Sequence, residues 1–181
     1  MPLLKEKRYT VDDIYALPPG ERAELIRGEI HAMAPPTSTH QRIVHFLDWT
    51  IGSYIRKNNG DCEVFPAPFA VFLRDDDRTY VEPDLSVICD REKVDDRGCH
   101  GAPDWVIEIV SPSSKRMDYY IKLAEYKEAG VREYWIVDPY KKYIIVYDLE
   151  HEEAPLFCPL NGCVKAGIYE DLEIDFSEMK L

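Results

Sequence analysis

The longest periodic signal in the chain runs from Thr39 to Asn59, where Ile43, Leu47, Ile51 and Ile55 recur every four positions, joined by Val44, Phe46 and Tyr54. That spacing predicts an amphipathic helix, with Asn59-Gly60 as a left-handed exit. Upstream, YTVDDIYA (9–16) predicts a short helix capped by Thr10, with Asp12 and Asp13 in its first turn and Pro18-Pro19-Gly20 as its stop. In RAELIRGEIHAMAPP the Arg27-Gly28 step separates two short apolar stretches, which reads as a hairpin or a bent strand. Downstream, CEVFPAPFAVFL and DLSVIC are β-rich runs parted by the polar RDDDRTYVEP and predict neighbouring strands. The run WVIEIV from Trp105 to Val110 predicts a central strand, and the spacing of Tyr120, Leu123, Ala124 and Lys127 predicts a helix from Met117 to Ala129 that Gly130 stops. Two further strands, EYWIVD and KYIIVYDL, are joined by a turn at Pro139-Tyr140-Lys141, and a last short strand is expected near Leu172 to Ile174.

Strands at both ends with a crossover helix between central strands make an α/β or α+β sheet sandwich. At 181 residues the chain has the size of one domain, 1–181, without repeats or a linker. No stretch approaches the about 20 apolar residues a membrane span needs, and the start, MPLLKEKRYTVDDIYALPPGE, lacks the apolar core of a secretory signal. A cytoplasmic location is expected. The five cysteines form no C-x-x-C pair and no zinc spacing, which reads as free thiols in a reducing compartment. The net charge of −12 opposes any binding of nucleic acid by overall charge. Arg56/Lys57, Lys115/Arg116 and Lys141/Lys142 are small basic clusters within that acidity, each of which, taken alone, is ordinary solvated surface.

Two carboxylates stand out against this pattern. Glu108 interrupts an apolar strand, where an ionised and unpaired carboxylate is costly, so it calls for a cation. The plain alternative is that it pairs with a buried arginine or with backbone donors at a sheet end. Asp84 follows Pro83 and precedes LSVIC, which places it at a strand mouth, although Pro-Asp is also a common turn pair. If the two strands are neighbours, Asp84 and Glu108 lie side by side and offer hard oxygen ligands for Mg2+ or Mn2+, to which the Ile109 carbonyl adds another. Lys122 lies on the helix after the Glu108 strand, in a ridge with Asp118 and Tyr126. The crossover places it to reach the two acids, and a surface ion pair with Asp118 is its bland alternative.

The segment EPDLSVICD, followed by GAPDWVIEIVSPSSKRMDYYIKLAEYKEAGVREYWIVDP and preceded by AELIRGEIHAMAPP and His40, resembles the Uma2 family of restriction endonucleases, also called DUF820. The resemblance implies a restriction-endonuclease-like core, a mixed central sheet flanked by helices, whose signature is PD followed by (D/E)-x-K. Asp84 is then the PD aspartate and Glu108 the second acid. Val110 stands where the superfamily lysine is expected, which points to Lys122 as its replacement, and Glu24 resembles a further acid near the N-terminus of relatives. The activity implied is Mg2+- or Mn2+-dependent hydrolysis of phosphodiester bonds in DNA, with Asp84, Glu108, Lys122 and Glu24 catalytic and Asp84, Glu108 and Ile109 at the metal. Homodimerisation suits duplex cleavage.

Two competing readings are a catalytically degenerate binding or scaffolding protein, favoured by the acidity and Val110, and a hydrolase of a small phosphate compound, whose sign would be a closed pocket. Among the remaining residues, Trp49, Trp105 and Trp135 are expected to fill the interior or a subunit contact. His40 either touches a phosphate at the helix start or lies on the surface. Of the 12 tyrosines, most are expected to cover half-buried sheet and some to be able to stack on bases.

Overall fold

A computed structural model describes residues 8–180. The first seven residues, part of the stretch read as lacking a leader, lie outside them, as does Leu181. In chain order the elements are α1 (Val11–Tyr15), β1 (Ala23–Ile26), β2 (Glu29–Ala32), α2 (Ser38–Lys57), β3 (Glu63–Pro66), β4 (Val71–Phe72) and β5 (Leu85–Ile88). They continue as β6 (Val94–Asp95), β7 (Gly98–His100), β8 (Trp105–Ile109), a π-helical turn (Met117–Lys122), α3 (Leu123–Ala129), β9 (Glu133–Asp138), β10 (Tyr143–Asp148), β11 (Leu156–Pro159), β12 (Cys163–Lys165) and β13 (Glu173–Asp175).

The main sheet has six strands in the order β11-β10-β9-β8-β5-β3. Its only parallel pair among the described strands is β8–β9, joined by the helical crossover, so the sheet is mixed. Alternation along β8 sorts its side chains onto two faces. Trp105, Ile107 and Ile109 pack with Ile43, Leu47 and Ile51 of α2, whereas Val106 and Val110 pack with Tyr126, Tyr134 and Ile136 under the crossover. Burial on both faces explains why β8 is apolar at every position but Glu108. The five buried side chains of α2 are the predicted stripe, and each stabilises the fold by roughly 1.5–3 kcal/mol through removal from water. Thr37 caps α2 by accepting from the His40 amide at 3.2 Å, which fixes His40 in the first turn.

A second layer holds the N-terminal hairpin against this core. Arg27 and Gly28 both adopt positive φ, 51° and 84°, as a two-residue hairpin turn requires. Arg27 then reaches Glu125 and Glu128 of α3, and Arg74 pairs with the same two acids at 2.8 Å. This four-residue clamp ties the hairpin to the crossover helix.

Three expectations are corrected. The helix expected over Met117 to Ala129 is π-helical in its first half, a widening for which apolar spacing carries no signal. Of the two places expected for the tryptophans, Trp105 and Trp135 take the interior, whereas Trp49 is 67% exposed on the polar side of α2, which removes the interior for that residue alone. Cys62 and Cys89 are joined in a disulfide, because the β3–β5 register, Glu63 opposite Ile88, carries the two cysteines opposite each other one residue further on. Cys99, Cys158 and Cys163 remain thiols. The expectation of five free thiols therefore fails, and with it that argument for a reducing compartment. No helix among the described residues is long and apolar enough to cross a membrane.

Candidate active site

The β5–β8 register decides where the two acids stand. Leu85 lies opposite Ile107 and Ser86 opposite Val106, so the residue before β5, Asp84, falls opposite Glu108. Their contacts follow that placement. The Asp84 amide donates to Glu108 Oε2 at 3.3 Å, and the Ile109 amide donates to Asp84 Oδ2 at 2.7 Å.

The crossover helix places Lys122 over the same spot. Its Nζ donates to Glu108 Oε1 and to Glu24 Oε1, both at 2.8 Å. Tyr126, one turn on, donates its hydroxyl to Glu108 Oε1 at 2.6 Å. Glu24 comes from β1, the strand that the arginine clamp holds against α3, and it also accepts the Glu82 amide at 2.9 Å. Asp118 is buried as well, but it bonds the Ser114 hydroxyl at 2.5 Å rather than pairing with Lys122. The surface ion pair between Asp118 and Lys122 does not form, because the helix turns both residues inward.

The electrostatics are lopsided. Glu24, Asp84, Glu108 and Asp118, four carboxylates, share one lysine. Burial, helped by Asp84, Asp118 and Glu24, pushes Glu108 well above the usual carboxylate range although Lys122 opposes this. Burial likewise lifts Asp118 to about 7 against the pull of Lys122 and Ser114. Burial favours the neutral form of Lys122, but Glu108 and Glu24 outweigh it and hold the ammonium charged. The directions are compatible, since one cation cannot neutralise four acids. Lys122 keeps its proton, and Glu108 and Asp118 are the two acids pushed toward acquiring one.

The group forms the floor of a cleft of about 590 Å³ whose walls are the 33–37 segment, the start of α2 and the Ser111–Ser114 loop. His40 faces into this cleft, with Nε2 3.1 Å from Asp84 Oδ2 and a buried Nδ1 that has no partner among the described residues. The sequence alone allows His40 to be either surface or a phosphate contact. Its spacing three residues after Thr37 is the one available sign that it belongs to the first turn of α2. Val110, in the place of the expected superfamily lysine, points away into the core and is 1% exposed.

The donor set suits a hard divalent cation on three counts. No hydrogen bond among the described residues reaches Asp84 Oδ1, and Glu108 Oε2 has only the long amide contact. Ile109 lines the cleft, and its carbonyl leaves β8 on the same edge as the amide that meets Asp84. The unbalanced negative charge is the kind a cation removes. No three His, Cys, Asp or Glu side chains among the described residues form a ready cage.

Comparison with known proteins bears on the fold and the family. A solved structure described as a putative nuclease belonging to DUF820, from Anabaena variabilis, superposes with a TM-score of 0.76 at 21% identity, covering 94% of this chain and 96% of that one. The mixed central sheet flanked by helices is therefore a fold shared with that protein. An uncharacterized protein of Synechocystis sp., sll1609, is 25% identical over 164 residues, 89% of this chain and 87% of that protein. The profile of the Uma2 family, described as "putative restriction endonuclease", matches residues 11–160, and the chain belongs to the Uma2 family.

Proposed function

We propose that the protein is a metal-dependent endonuclease that hydrolyses phosphodiester bonds in DNA. The observation that carries this reading is the convergence of Asp84, Glu108 and Lys122 on one cleft floor, imposed by the β5–β8 register and the crossover helix.

In this reading Asp84, Glu108 and the Ile109 carbonyl hold Mg2+ or Mn2+. The ion, when bound, supplies Lewis-acid polarisation of a phosphate oxygen and a more acidic water. Lys122, kept protonated by Glu108 and Glu24, stabilises negative charge growing on the phosphate. It does from the helix what the superfamily lysine would do from position 110. Glu24 is the positioning residue for Lys122, and His40 plays the same part for Asp84 through its 3.1 Å contact. Tyr126 donates to the Glu108 oxygen that also faces Lys122, which leaves Oε2 toward Asp84.

A second reading, a nuclease-fold protein that binds without cutting, is favoured by the net charge of −12. Incubating the purified protein with plasmid and single-stranded DNA in Mg2+ or Mn2+, beside Asp84→Asn and Lys122→Ala, separates the two. Cutting by the wild type alone is expected. Equal cutting by all three proteins, or none by any, defeats the endonuclease reading.

A further inference from the structure

The acidity of the chain raises the question of where a polyanion would be held. Several of the other cations are already paired: Arg22 with Glu82, Arg27 and Arg74 with Glu125 and Glu128, Arg132 with Asp104 and Glu150. Lys115 and Lys141 are different. Both are exposed, neither is in an ion pair among the described residues, and both lie against aromatic rings instead. Lys115 Nζ sits 5.9 Å from the Tyr140 ring centre, and Lys141 Nζ sits 4.8 Å from that of Tyr119 and 5.6 Å from that of Tyr143. The carboxylate beneath them, Asp138, is fully buried and occupied by the Tyr119 hydroxyl and the amides of Tyr140 and Lys141.

The rings on this face are open to solvent. Tyr120 is 72% exposed and Tyr140 is 50% exposed, with Tyr119 beside Tyr120. Large exposed aromatics interleaved with unpaired lysines make a surface that can take stacked bases and a phosphate backbone together. The face starts beside the cleft: Ser111–Ser114 line the cleft and Lys115 is the next residue.

We propose that this face, built around Lys115, Tyr120, Tyr140 and Lys141, is the track along which a single nucleic-acid strand enters the cleft. The inference deepens the endonuclease reading and rests on it for the strand's destination. Two arguments select a single strand over a duplex. Ring stacking needs bases that are not already paired and stacked with a second strand. The cleft floor is also recessed, with Glu108 3% and Lys122 4% exposed, so a phosphate must be lowered into it, which a pliable strand does and a stiff duplex resists.

The test is fluorescence anisotropy of labelled oligo(dT) of about 20 nucleotides, longer than a typical single-strand site, with EDTA present so that no cutting occurs. Tyr120→Ala/Tyr140→Ala is expected to bind about tenfold or more weakly, and the deficit should vanish on an abasic oligonucleotide. Lys115→Ala/Lys141→Ala should flatten the slope of log affinity against log salt by about 1.4, because two fewer phosphates are neutralised on binding. Oligo(U) in parallel shows whether the sugar matters; either strand satisfies the proposal. Wild-type affinity in both variants, tighter binding of a duplex, or a dimer that these substitutions dissociate without loss of oligo(dT) affinity would overturn it. The binding assay contains neither metal nor cleavage, so a failure to cut DNA leaves this result standing, and a failure here leaves the cutting assay untouched.

Discussion

Glu108 and Glu133 are both glutamates buried in the central parallel pair of the sheet, one on β8 and one on β9, and burial raises the pKa of both. Their surroundings differ completely. Glu133 accepts from the Gly167 amide at 2.9 and 2.8 Å, the Ile168 amide at 2.8 Å and the Trp135 indole at 2.5 Å. These donors are neutral, fixed, and supplied in part by the C-terminal segment that Glu133 tethers. Glu108 has the Lys122 ammonium, the Tyr126 hydroxyl and three like charges, at the base of an open cleft. A buried carboxylate surrounded by neutral donors is a structural tether. One crowded by other acids on the floor of a cleft is an unbalanced charge, the setting for the cation we propose.

Removing the lysine should have the largest effect. Lys122→Met leaves Glu24 and Glu108 buried without their cation and is expected to cost about 3–5 kcal/mol in chemical denaturation. Adding Glu108→Gln should restore part of that loss, and a full cost in the double variant would mean that packing, not charge, holds the pair. Asp84→Asn should lower cleavage on the order of 10²-fold or more in a plasmid assay. It should also leave the metal-free protein as stable or more so, since it removes a like charge beside Glu108. Glu133→Gln is expected to do the reverse, costing about 1–3 kcal/mol for the amide donor it strands while cutting proceeds at the wild-type rate.

The last effect is spread over a pH range rather than read at one pH. The folded state raises Asp118 to about 7, above its unfolded value, so the native protein binds this proton more tightly than the unfolded chain does. The sign follows: this contribution weakens stability as pH rises from the unfolded pKa of about 4 to 7, by up to about 1.4 kcal/mol per pH unit. Asp118→Asn should therefore lose less stability than the wild type across that range. Parallel stability curves for the two proteins would remove Asp118 from the coupled group.

Much of this contrast was legible in the sequence. The four-residue stripe of α2 and the apolar run of β8 each have one physical solution, the Arg27-Gly28 step allows a hairpin or a bent strand, and Glu108 stood out as a carboxylate set inside an apolar strand. Pro83 placed Asp84 at a strand mouth. What the sequence lacked were the distant contacts. Glu24 reaches Lys122 because β1 is held over the crossover by its backbone bonds to Tyr80 and by the Arg27 and Arg74 clamp on α3. The Cys62–Cys89 bond depends on the β3–β5 register, and Glu133 reads as an ordinary strand-end glutamate until residues 167–168 fold over it. Turning His40 toward Asp84 likewise requires the packing angle of α2 on the sheet, which local pattern does not encode.

The most direct test of the contrast is calorimetric titration of Mn2+ into the wild type, Glu108→Gln and Glu133→Gln. Saturable binding at millimolar concentration or below is expected for the wild type and for Glu133→Gln with equal affinity, and its loss is expected in Glu108→Gln. No binding by the wild type, or binding by Glu108→Gln as tight as the wild type's, would contradict the assignment of this cleft as a metal centre.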